Sequence, residues 1–386
     1  MNIKNKAWAA VAFVVSIALT GCGASTASSH GSSGSSTSNR QYIIGADFPL
    51  SGINAVYGQI FSEATKLAQT QVVSSLHLLP NLKIDYVDSQ ALPQPAVVGW
   101  QKLVSVDRVP YVLSAFSGVT TALGPLATRD QVVQVNGGGV SPNLGQLGAY
   151  TLNDIPLISD EIKTMLPYLN KQNIKSMDIV YTDDSLGIPS NKLIKKVWSG
   201  LGGTVPASYE IAPTDDSFTS LASQIASGNP DAVYLVTYGN QDTTLITQLR
   251  NQGYTGKIVS YSGLDFPGAI SLKQAQGALF TSERVNFNAS DKITQTFVKG
   301  FKKAYHTMPE YYQANYYNAV LIYADAVAYI NKHHETYNGS NILAAIHAIK
   351  TFHVVGTNVT FRKNGTVSMP IEINEIKNDS TVVIKN

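Results

Sequence analysis

One cysteine in 386 residues leaves this chain without a disulfide of its own. Charge is scarce too, with 14% of residues ionised and a formal net charge of +2. Lys4 and Lys6 supply both excess charges, and without residues 1–21 the chain carries 26 basic and 26 acidic side chains. A balanced body with no basic cluster speaks against nucleic acid as a partner. The apolar run from Ala7 to Leu19, about thirteen residues, is too short to span a bilayer. Also missing are H-E-x-x-H, G-x-S-x-G and G-x-x-x-x-G-K-[ST]. Ser141 sits in G-V-S-P-N, where proline and asparagine spoil a nucleophile elbow, and the single cysteine lies near the N-terminus. No enzymatic activity is expected, and no cofactor. His333-His334-Glu335 closes a long helix, where basic groups suit the helix dipole, so no metal site is expected there.

What is present begins with Lys4 and Lys6 ahead of the apolar run, then Leu19-Thr20-Gly21-Cys22. Charge followed by a short apolar core is the pattern of a secretory signal peptide. The four residues before and at the cysteine resemble a bacterial lipobox. That resemblance implies a signal peptide over 1–21 and a lipid on Cys22. Residues 22–39 are nearly all Ser, Gly, Thr and Ala, a flexible tether with a span of roughly 20 to 25 Å. The expected location is therefore extracytoplasmic, anchored to the cell membrane.

At 44% hydrophobic, the remainder can fill two cores. From Tyr42 onward β-rich runs alternate with segments of helical spacing. Strands are expected at 42–48, 82–87, 110–113 and 132–135, with helices at 57–76, 94–106 and 119–129 between them. After Tyr150 to Asn153 the alternation restarts, with helices at 159–170, 190–201, 218–227 and 242–252 and strands at 177–181, 204–209, 232–236 and 257–261. Three helices, 291–305, 311–332 and 341–350, and a β-rich tail at 359–385 complete the chain. Asn364-Gly365 is placed to make a type I′ hairpin turn. The pattern predicts α/β lobes with largely parallel sheets.

Pro110 to Pro142 holds a Ser-Gly-Val-Thr-Thr break and three consecutive glycines at expected strand ends. Ser117, Thr120, Thr121 and Gly137 to Gly139 would stand where such sheets collect small ligands. Ser117 would serve equally well as a helix N-cap, and the glycines as a tight turn.

Ile44-Gly45-x-x-x-Pro49-Leu50-Ser51-Gly52 with Tyr57-Gly58-Gln59, S-A-F-S-G-V-T at 114–120, Y-T-D-D-S-L-G at 181–187, N-P-D-A-V-Y-L-V-T-Y-G at 229–239 and V-T-F-R-K-N-G at 359–365 form an ordered set. Across residues 41–386 it resembles the type I periplasmic binding proteins, most closely the branched-chain amino-acid branch that feeds ABC importers. The resemblance implies two Rossmann-like lobes joined by three crossovers, near Leu152, Arg284 and Val354. Lobe 1 would be 40–152 and 285–353, and lobe 2 would be 153–284 and 354–386. It implies an amino-acid-like solute, with a branched-chain or other apolar amino acid favoured, an ABC permease as partner and a monomeric chain, with a ligand-sensing receptor component for amides or small carboxylates as the alternative. Among site residues it implies Ser117 for a carboxylate, Gly138 for an ammonium and Asp265 to pair with that ammonium, with Thr120 and Gly139 beside them. Tyr57 and Tyr238 would line the cleft from opposite lobes. Val140 and Leu186 stand where the family commonly has a threonine and an aromatic, so this pocket is expected to be greasier. From residue type alone, Asp265 could also be a surface loop acid, and the two tyrosines could pack at the edge of a core.

Overall fold

The computed structural model describes residues 40–385, so the signal segment, the tether and Cys22 lie outside the described residues. Two sheets organise the chain. The first is built from β1 (Ile43–Phe48), β2 (Lys83–Asp88), β3 (Tyr111–Ser114), β4 (Val133–Asn136) and β5 (Thr151–Asn153), all parallel, in the order β2-β1-β3-β4-β5. β3 and β4 are buried along their whole length; β3 reads as a short apolar run, and the buried Gln134 and Asn136 of β4 are hydrogen-bonded. Between the strands run α1 (Ala55–Ser74), α2 (Pro93–Gln101) and α3 (Ser117–Asp130). The end of α2 widens into a π-turn over Lys102–Val106.

The second sheet repeats that order. Its parallel part is β7 (Ser208–Ile211), β6 (Met177–Thr182), β8 (Ala232–Val236), β9 (Lys257–Ser260) and β10 (Leu279–Glu283), side by side in that sequence. Antiparallel β13 (Ile371–Lys377) and β14 (Ser380–Lys385) extend the β10 edge. The helices here are α4 (Ile158–Lys171), α5 (Gly187–Gly200), α6 (Thr219–Gly228), α7 (Asn240–Asn251) and the single turn α8 (Pro267–Ile270).

From the second sheet the chain returns to the first as α9 (Lys292–Tyr305), α10 (Tyr311–Lys332) and α11 (Gly339–Ile349). α10 is buried nearly all round, and its tyrosines find partners there. Tyr316 donates to Ser114 O at 2.8 Å and Tyr323 to Ile43 O at 3.2 Å. β11 (Thr351–Val354) and β12 (Thr357–Thr360) form a hairpin that stays on these helices, since Val355 N donates to Asn318 Oδ1 at 2.9 Å.

Three differences from expectation have local causes. The strand expected at 204–209 begins at Ser208, because Pro206 has no N–H to give a ladder and leaves only an isolated bridge at Thr204. β10 ends in polar residues and is held by partners on both sides, so its run alone did not mark it as a strand. Asn364-Gly365 does not form a type I′ turn, since only Gly365 has positive φ (+74°). Gly365 N bonds Arg362 O at 2.9 Å and Arg362 N bonds Thr366 O at 2.7 Å, the pattern of a type I turn with a bulge. Asn378 and Asp379, with φ of +52° and +54°, make the I′-like turn between β13 and β14 instead.

Candidate functional site: a closed aromatic cleft

In sheets of this order, ligands collect where neighbouring strands send their chains to opposite sides. In the first sheet that point lies between β1 and β3, and in the second between β6 and β8. The segments leaving these four strands meet around one small cavity. Its lining comprises Tyr57 and Phe61 of α1, Phe116 and Ser117 after β3, Gly138 and Val140 after β4, Leu186 after β6, Tyr238 after β8, Tyr261 and Gly263 after β9, and Tyr312 of α10.

Six of the expected site residues thus converge: Tyr57, Ser117, Gly138, Val140, Leu186 and Tyr238. Ser117 is not a helix cap. Its Oγ accepts from Val140 N (3.2 Å) and Ser141 N (3.0 Å), which leaves its own O–H to donate. The first intrahelical bond here is from Thr120 N to Phe116 O, so the amides of Ser117 to Val119 stand before it and favour an acceptor or anion. Phe116 takes φ +67° and ψ 138°, a conformation that costs a non-glycine residue about 1–3 kcal/mol.

Two of the three glycines serve close approach. A Cβ on Gly139 would lie 2.9 Å from Ser117 N, and one on Gly138 would lie 2.9 Å from the Tyr316 hydroxyl. Asn136 shapes this loop: its Oδ1 accepts from Gly139 N (2.6 Å) and Gly138 N (3.3 Å), and its Nδ2 donates to Gly139 O (2.7 Å).

Five expected residues do not line this cavity; Gly137 packs against Asn315 and Tyr316, and the Thr121 hydroxyl is buried without a partner. Thr120 is buried beneath the cavity, bonded to Ser114 and Asn136. Gly139 packs on the backbone of Phe116 and Ser117. Asp265 is buried, and the residue of its loop that lines the cavity is Gly263. The 3₁₀ turn Ser262–Leu264 separates the two positions. Burial raises the Asp265 carboxyl well above the usual range, and Glu310 and Glu372 raise it further. A buried acid off the lining is out of place to partner a ligand ammonium.

Glu161 of α4 holds the Gly263 turn. It accepts from Ser262 N (2.7 Å), Ser262 Oγ (2.8 Å) and Thr281 Oγ1 (2.6 Å). Burial pushes its carboxyl up to about 7, against the lowering effect of those bonds. Behind Tyr238 stands Asp184, which accepts the Tyr238 hydroxyl (2.9 Å) and the amides of Leu186 and Gly187 (2.8 Å each).

Hydrogen bonds shut the cleft. Tyr57 Oη donates to Gly263 O (2.7 Å) and accepts from Gly239 N (3.2 Å), while Tyr311 Oη donates to Ser262 O. Ser141, the serine weighed above as a nucleophile, donates to Ser185 O at 2.6 Å. His333 ends α10 exposed, its Nδ1 2.8 Å from Tyr329 O. Among the described residues no group of three or more His, Cys, Asp or Glu is arranged to hold a metal, and no helix is long and apolar enough to cross a membrane.

The lining therefore offers the Ser117 hydroxyl, a helix start and six aromatic rings, four of them tyrosines, with no ionised group. Phe61, Phe116, Tyr261, Gly263 and Tyr312 were not expected there. Phe116 could have been found, since it sits directly before the Ser-Gly break at the end of a strand.

Two lobes of matching strand order, meeting at their switch points over an uncharged aromatic cleft, define a protein that encloses a small solute between them. A family model described as periplasmic binding protein matches residues 41–381, and the chain belongs to that family. Its fold is the type I fold. It is similar to the leucine-binding protein LivK from Thermotoga maritima, at TM-score 0.81 and 20% identity over 89% of this chain and 97% of that one. A solute-binding protein of an ABC transporter from R. palustris, in complex with benzoate, matches at TM-score 0.80 and 18% identity over 90% and 96%. LivJ from Streptococcus pneumoniae, in complex with isoleucine, matches at TM-score 0.78 and 20% identity over 90% and 100%.

Proposed function

We propose that this chain is the solute-capture component of an ABC importer and that its solute is a small apolar carboxylate. It acts outside the cytoplasm as a monomer tethered by lipid on Cys22, and delivers its solute unaltered to a permease. The observation that carries the ligand class is the pairing of the Ser117 hydroxyl and the start of α3 with a ring of six aromatic side chains. A carboxylate finds donors there and an apolar body finds rings.

An aromatic acid is preferred over a branched-chain amino acid because the lining carries no acid for an ammonium. The neighbours solved with benzoate and with isoleucine make both classes worth testing. The lobes move about three connections, over residues 154–157, 284–291 and 361–370. The third follows the β11–β12 hairpin, so lobe 1 extends to Thr360 in this reading. A solute touching both lobes favours the shut form through contacts the open form lacks.

Calorimetry with benzoate, 4-methylpentanoate and leucine tests the ligand class. The two plain acids are expected to bind more tightly than leucine, and tighter binding of leucine would overturn the preference. Replacing Cys22 by serine should release the protein from the membrane fraction; retention there would remove the lipid anchor.

A further inference from the structure

The cavity around Ser117 has a free volume of only about 10 Å³, room for one water. Phe116 and Tyr238 form one of its walls, their ring centroids 5.3 Å apart. The same two residues also border a second cavity, of about 650 Å³, within the range of small-molecule sites. Ile53, Leu92, Pro93 and Ala122 wall it from the first lobe, and Pro213 and Thr214 from the second. Most of that wall is apolar, and Ile53 and Leu92 are large hydrophobic side chains that the fold leaves exposed at its edge, while Asp183 and Asp184 line it from the second lobe, Asp184 already bonded to Tyr238. Thr121 and Ser185, one from each lobe, also line it, and their hydroxyl oxygens have no hydrogen-bond partner. The partition itself is strained, because Phe116 holds a positive φ.

We propose that the two cavities are halves of one binding site, divided by the Phe116 and Tyr238 rings. Its ligand is an amphiphilic carboxylate with an apolar body longer than one ring or one branched side chain, of the arylalkanoate class. The carboxylate reaches Ser117 and the α3 amides, Phe116 swings aside, and the body runs into the outer cavity between the lobes. As it stands shut, the inner cavity is too small for leucine or benzoate, so its rings must part for either, and the outer cavity adds room for a chain of several methylenes and a second ring's length. This rests on the carboxylate reading above and adds the length and the second chamber to it.

Calorimetry on the full chain with benzoate, 3-phenylpropionate and 5-phenylpentanoate tests it. Each methylene taken out of water is worth about fourfold in affinity, so 5-phenylpentanoate should bind at least tenfold more tightly than benzoate. Ala122→Trp, which fills the outer cavity, should abolish that gain and leave benzoate within about twofold. Pro213→Trp makes the same test from the opposite lobe if the first variant fails to fold. Equal affinity along the series, or variants that weaken benzoate as much as the long acid, would overturn the second chamber while the carboxylate reading stands. If none of the acids binds, both fall together.

Discussion

The two rims of the cleft do the same job with different chemistry. On the first lobe a neutral amide, Asn136, holds the glycine loop that presents Gly138. On the second a carboxyl, Glu161, holds the turn that presents Gly263. Both side chains are buried and both bond backbone amides, yet only one titrates. The first rim should thus keep its shape across the pH range in which the second loses a proton. Strand order made the lobes alike, and the clamps make them respond differently.

Asn136→Ala should break this comparison most severely. It removes five hydrogen bonds, three of them to the glycine loop, and leaves buried polar groups unpaired, each worth about 1–3 kcal/mol, so the melting temperature should fall sharply and solute binding should disappear. Thermal denaturation and calorimetry would show it; a variant that binds normally would remove Asn136 from the account.

Next is the pH dependence of the second rim. A buried Glu161 raised to about 7 favours the protonated form in the folded state, while the unfolded chain ionises near 4.5. Its contribution is therefore complete below about 4.5 and is lost as pH rises through 7, roughly 3 kcal/mol in all by pH 8. Melting curves should fall between pH 5 and pH 8 and flatten in Glu161→Gln. An unchanged slope in that variant would assign the effect to other buried acids.

Smaller effects sharpen the picture. Ser117→Ala should cost a carboxylate solute about tenfold in affinity, through loss of a charge-assisted bond worth about 1.5–3 kcal/mol partly replaced by water. Tyr57→Phe removes two hydrogen bonds between the lobes, so small-angle scattering should show a larger radius of gyration for the solute-free chain. Asp265→Asn should leave affinity for any solute within about twofold. A large loss for amino acids alone would restore its role as an ammonium partner.

Much of this was legible in the sequence because parallel strands buried on both faces, such as β3 and β8, are short, largely apolar runs between helices. The site was legible where it follows strand ends directly, as at Ser117, Gly138, Val140 and Leu186. It was not legible where residue type carries little signal. Phe61 and Tyr312 come from helix faces far apart in the chain, and among 20 tyrosines and 12 phenylalanines a cleft aromatic looks like a core one. Asp265 shows a different limit: the family position can be matched within its loop, but a 3₁₀ turn decides which residue of that loop faces the solute. Gly139 lies between two lining residues and Thr120 one helical turn from Ser117, and both support the lining instead.

A crystal structure of the protein with benzoate tests the central claim most directly. The account predicts the carboxylate within about 3 Å of Ser117 Oγ, in reach of the amides that open α3, with the ring among Tyr57, Phe116 and Tyr238. A benzoate seated with its carboxylate turned away from Ser117, or bound outside the cleft, would contradict it.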